Sequence, residues 1–201
     1  FPSPNHSTII LHKGGSPMKK FSVRDMVMCA LFAALIAVGA FIKIPIPYIP
    51  LTLQTLFTML AGLMLGGRLG AISVCVYVAI GLAGLPVFTQ GGGPMYVLKP
   101  TFGYLIGFAV GTYVTGAIAN KTAAPTFRRL VGANLAGLAI IYLFGMVYYF
   151  LISHLYLGTN ITIRNLFLYC FLATIPGDVI SCLVAAVIGK RLNPITRKYV
   201  V

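Results

Sequence analysis

Asp178 follows Pro176-Gly177 inside FLATIPGDVISCLVAAVIGKRL (171–192), an apolar stretch of membrane-spanning length. Ser181 and Cys182 stand three and four residues on, so a helix would set all three on one face. A carboxyl at the centre of a span costs about 2.5–3.5 kcal/mol on insertion scales, and its default reading is a functional site. Pro176 removes a backbone hydrogen bond there, and Gly177 admits a neighbouring helix or a ligand. Proline break, carboxyl and hydroxyl together read as a polar binding wall. The plainer alternative is that Asp178 pairs with a tyrosine hydroxyl or a backbone amide between helices.

Partners for such a wall stand elsewhere. In VLKPTFGYLIGFAVG (97–111), Lys99 and Thr101 fall at the outer mouth of an apolar segment, with Tyr104 one turn further in. Lys99 suits a substrate carboxylate through a charge-assisted hydrogen bond, or else it snorkels to the headgroups. Gln54, which ends the proline-rich KIPIPYIPLTLQ (43–54), suits an amide-like group or serves between helices. PVFTQGGGPMYVLKPT (86–101) offers Gln90, Gly91 and Gly92 in a loop able to approach a ligand closely or to swing as a lid. CALFAALIAVGA (29–40) sets Ala30/Ala34 and Ala33/Ala37 at AxxxA spacing, a strip for a neighbouring helix or a membrane partner.

Reactive constellations are not among the motifs. GxxxxGK[ST], GxSxG, HExxH and paired carboxylates do not occur. His6, His12 and His154 lack metal spacing, and Cys29, Cys75, Cys170 and Cys182 form no CxxC. The expectation is a protein that binds a ligand without catalysis, metal or cofactor.

The elements that must carry these residues follow from composition. Of 201 residues 59% are hydrophobic and 8% charged, with a mean hydropathy of +0.95. A water-soluble domain carries about 25% charged residues, so this is an integral membrane protein. Six apolar segments are predicted to span: about 23–42, 51–66, 69–86, 101–119, 130–153 and 166–189. Twelve of the 15 Lys and Arg fall on one side of such a bundle, leaving Lys43, Lys99 and Arg164 opposite. That bias puts both termini in the cytoplasm. The net charge of +13 lies in loops without interleaved aromatics, which argues against nucleic acid. Residues 1–17, rich in Ser, Pro and Gly, read as a tag remnant or unpacked leader ahead of a membrane domain at 18–201.

IPIPYIPLTLQTLFTMLAGLMLGGRLGAISVCVYVAIGLAGLPVF followed by GGG, PTFGYLIGF and PGD resembles the BioY family over about residues 19–195. These are the biotin-specific S components of energy-coupling-factor (ECF) transporters. The resemblance implies an all-α, six-helix subunit of the bacterial cell membrane, with an outward-facing pocket for the vitamin. It further implies docking through first-helix alanines, here Ala30 and Ala34, onto a transmembrane coupling protein (the T component). Two cytoplasmic ATPases drive that protein, and the S component topples to release its vitamin.

Two departures stand out. The family pattern sets a lysine three residues after the aspartate, both touching biotin, whereas this chain has Ser181 there. The family's GPTGGYL reads KPTFGYL, bringing in Lys99 and Phe102. The expectation is that Lys99 holds the substrate carboxylate from the opposite side while Phe102 walls the pocket. Alternatives are a ligand such as lipoate, which has no ureido group, or a solitary carrier using Asp178 for proton coupling. A membrane enzyme acting on lipid finds no nucleophile–base pair.

Overall fold

The first helix, α1 (Val23–Phe41), starts at a capping box. The Ser22 hydroxyl accepts from the Asp25 amide at 3.2 Å, and the Asp25 carboxylate accepts from the Ser22 amide at 3.1 Å. One of the chain's two carboxylates thus satisfies helix-end donors. The computed structural model describes residues 22–45, 49–122, 124–159 and 161–200, with side chains as far as Leu192. The predicted leader lies outside the described residues.

After α1 the chain pairs β1 (Lys43–Ile44) with β2 (Leu51–Thr52) in an antiparallel strap. Helix α2 (Gln54–Leu82) follows, with Gly66 at φ 84° and ψ 173° inside it. Gln54 Nε2 donates to the Tyr77 hydroxyl at 2.8 Å. In a straight helix those residues would be about 34 Å apart. Gly66 therefore turns the chain back, and α2 is a hairpin of two arms. A Cβ on Gly70 would stand 2.9 Å from the Ala61 carbonyl, so the arms touch backbone to backbone.

A 3₁₀ turn (Pro94–Leu98) leads into α3 (Phe102–Ala119), then α4 (Phe127–Leu155). The last span joins α5 (Ile163–Phe167), a π-helical turn (Leu168–Leu172) and α6 (Ile175–Val200). Pro176 stands in the first turn of α6, where its missing N–H costs nothing. The predicted proline break is thus a helix start that follows the π turn.

Among the described residues, five helices are long and apolar enough to cross a membrane, against six predicted segments. The difference is α2, which holds the second and third segments. Helix α3 sits between α2 and α4 because its glycines remove the obstruction of side chains. A Cβ on Gly107 would meet Ile141 Cα at 2.8 Å, and one on Gly116 would meet the Gly67 amide at 2.2 Å. The alanine strip of α1 divides: Ala33 is buried and Ala37 half-buried against the core, while Ala30 and Ala34 are exposed. Gly66→Ala should lower unfolding stability by about 1–2 kcal/mol, the cost of a left-handed L-residue. A depressed thermal midpoint in detergent is the readout.

Candidate ligand cavity

The strap and the 83–101 loop cover one cavity. Its lining joins Ile49, Pro50, Leu51 and Thr52 of the strap, Gln54 and Thr55 of α2, and Thr89 and Tyr96 of the loop. Thr101, Tyr104, Leu105 and Phe108 line it around the start of α3, with Ile141 and Tyr142 of α4 and Thr174 and Asp178 of the last span. The space between these residues, open mouth included, is about 590 Å³.

Asp178 is 7% exposed, and Tyr142 donates its hydroxyl to Asp178 Oδ2 at 2.5 Å. The Thr55 side chain stands beside the same carboxyl on the lining. Tyr142 also lies 2.8 Å from Thr174 Oγ1, whose hydroxyl reaches the Cys170 carbonyl at 3.2 Å. That carbonyl, in the π turn, also accepts from Tyr104 at 3.3 Å. Among the described residues the lining includes no Lys or Arg, and the donor to the carboxyl is the neutral Tyr142 hydroxyl. A buried carboxyl so placed is a hydrogen-bond acceptor for a ligand N–H.

The loop is fastened from several sides. Phe88 packs edge-on to Tyr77 at 5.4 Å and against Tyr96 at 4.4 Å, its ring filling the place a Cβ on Gly81 would take. Tyr77, held by Gln54, donates to the Val87 carbonyl at 3.1 Å, and Tyr148 donates to the Val97 carbonyl. Phe88 and Gly91 exchange backbone hydrogen bonds at 2.9 and 3.2 Å, leaving Thr89 and Gln90 at the tip.

Asp178, Gln54, Thr101 and Tyr104 therefore meet on one lining. Lys99 does not: its ammonium donates to the Gln90 carbonyl at 2.7 Å and lies 5.0 Å from the Tyr96 ring centroid, at the rim. Gln90 is exposed, while Gly91 (φ 107°) and Gly92 shape the bend, and Thr89 is the tip residue on the lining. Ser181 lines a separate hollow behind Leu51 and Thr52, together with Lys43 and Gly177. Cys182 is fully buried, its carbonyl accepting from Asn134 at 2.8 Å. Asp178, Ser181 and Cys182 thus do not share a single wall. Phe102 packs at a tilt against Tyr148, with ring centroids 5.8 Å apart, and is not on the lining.

Tyr142, Thr174, Thr55, Thr89 and Tyr96 escaped the sequence reading. Thr55 beside Gln54 and Thr174 beside the proline were adjacent signals. Tyr142, a hydroxyl amid AIIYLFG, was one polar residue among several in its span, with Asn134, Tyr148 and Tyr149.

A polytopic membrane protein built round a covered cavity with a buried carboxyl on its lining is the class these features define. A model of the BioY family matches residues 16–198. The probable biotin transporter BioY of Lysinibacillus sphaericus is 46% identical over 180 residues, covering 90% of this chain and 92% of that protein. The biotin transporter BioY of Thermotoga maritima is 37% identical, covering 85% and 96%. The crystal structure of the S component for biotin from an ECF-type ABC transporter superposes with a TM-score of 0.71. It is 29% identical and covers 86% of this chain and 92% of that one. The chain belongs to the BioY family.

Tyr142→Phe keeps the ring contacts to Tyr104 and Phe171 but removes the donor to Asp178. Losing a hydrogen bond to a charged partner should destabilise the ligand-free protein by about 1.5–3 kcal/mol in a reversible unfolding titration.

Proposed function

We propose that this chain is the substrate-binding S component for biotin of an ECF-type importer. It binds the vitamin from outside and leaves ATP hydrolysis to partner subunits. The observation that carries the reading is a lining with an acceptor carboxyl at Asp178, apolar and aromatic walls, and cations only at the rim. Biotin is a cyclic urea fused to a thioether ring and ending in a carboxylate chain. Its N–H groups suit Asp178, its ring suits Tyr104, Leu105 and Phe108, and its carboxylate suits Lys99. Family membership and the likeness to the biotin S component support the assignment.

In this reading the spans number six: α1, the two arms of α2, α3, α4 and the Ile163–Leu192 segment. Both termini are cytoplasmic, as the Lys and Arg distribution favours. Ala30 and Ala34, exposed on α1, dock on the T component, where small side chains permit close helix approach. Ser181 acts outside the ligand's first contacts, so its departure from the family lysine is tolerated. Lipoate, with no N–H, would leave Asp178 without a ligand donor.

Titration calorimetry of the purified protein with biotin and lipoate tests this. Biotin should bind tightly and lipoate weakly, with Asp178→Asn reducing biotin affinity at least tenfold, the scale of a hydrogen bond to charge. Lipoate binding in place of biotin would move the substrate. Uptake that persists without ATPase partners and collapses with an uncoupler would instead identify a proton-coupled carrier.

A further inference from the structure

The covers of the cavity are stitched together by a residue whose chemistry exceeds a stitch. Lys43, in β1 of the strap, donates its ammonium to the Thr89 carbonyl at 2.9 Å. Thr89 is the loop-tip residue on the cavity lining, and the next carbonyl, Gln90, accepts from Lys99 at 2.7 Å. Two ammoniums from two segments thus hold consecutive carbonyls of the loop tip, Lys99 from the cavity rim and Lys43 from the side of the neighbouring hollow.

Each ammonium has three donors, and these hydrogen bonds engage one apiece. Neither cation has a carboxylate side chain to pair with. The chain contains only Asp25 and Asp178, the first engaged at the start of α1 and the second with Tyr142. A pair of cations on the loop tip that borders the cavity, in a protein with no acidic side chain to spare, is a site for an anion from outside. We infer that Lys43 is the second carboxylate-binding residue of the ligand site: together with Lys99 it exchanges a lid carbonyl for the acid group of the ligand.

The inference rests on the proposed biotin site and deepens it. It assigns the head of the ligand to Asp178 and the tail to a strap lysine and a lid lysine together. The two covers then close on the ligand rather than on each other, because its carboxylate takes over the bridge that the Thr89 and Gln90 carbonyls supply in this structure.

The test compares biotin with biotin amide, whose tail is neutral, on wild type, Lys43→Met and Lys43→Arg. Lys43→Met should weaken biotin roughly tenfold, the scale of one charge-assisted hydrogen bond, and leave the amide within about twofold. Lys43→Arg should restore most of the preference for the acid and shows that the position tolerates change. Equal losses for acid and amide in Lys43→Met would reduce Lys43 to a stitch and overturn the inference alone, as would no loss for either. Wild type that binds neither compound would overturn the reading of the site, and the inference with it. Lost preference for the acid only when vesicles contain anionic lipid would assign Lys43 to a headgroup phosphate and likewise overturn it.

Discussion

A carboxyl held in a membrane without a facing cation constrains everything around it. Burying a lone charge costs several kcal/mol unless its lone pairs find donors. Asp178 finds one in Tyr142 of α4, with the Thr55 hydroxyl of α2 beside it on the lining, so three distant segments must converge on one carboxyl. The start of α2 adds the positive end of a helix dipole beside the same cavity. Neutral partners hold the carboxyl in place yet leave it an acceptor, which a salt bridge would partly consume.

Holding three segments to that tolerance is a task for glycine. Lipid is as apolar as leucine, so helices associate by close fit rather than by exclusion from water. Gly107 lets α3 lie against the α4 backbone at Ile141, and Gly116 lets it lie against the second arm of α2 at Gly67. Helix α3 thereby fixes the spacing between the element that carries Tyr142 and the one that carries Thr55. Cavity dimensions follow from backbone contacts, which side-chain motion cannot easily relax.

The spans and the unusual carboxyl were legible because both are local signals: apolar length and one charge where charge is costly. The hairpin in α2 falls at the gap between the second and third predicted segments, where Gly66 is able to reverse a helix at φ 84°. The company of Asp178 was harder to read. Tyr142 lies 36 residues away, and nothing in either segment's periodicity specifies which faces meet. Ser181 shows the opposite error. Helical spacing put it beside Asp178, but the strap residues Leu51 and Thr52 pass between them and assign it to another hollow. The alanine strip divided for a similar reason: AxxxA spacing marks two neighbouring stripes, and only packing decides which one faces inward.

The position of the cavity, under covers at one end of the bundle, also has an electrical meaning. Moving a unit charge through the whole membrane potential is worth about 2.3 kcal/mol per 100 mV. In the proposed reading, with the covers facing outward, an anion held between the strap and the loop tip would have crossed almost none of that drop. Voltage would then neither draw it in nor expel it, and capture would proceed alike in energised and de-energised membranes. The electrical work would fall on whichever later movement carries the charge inward.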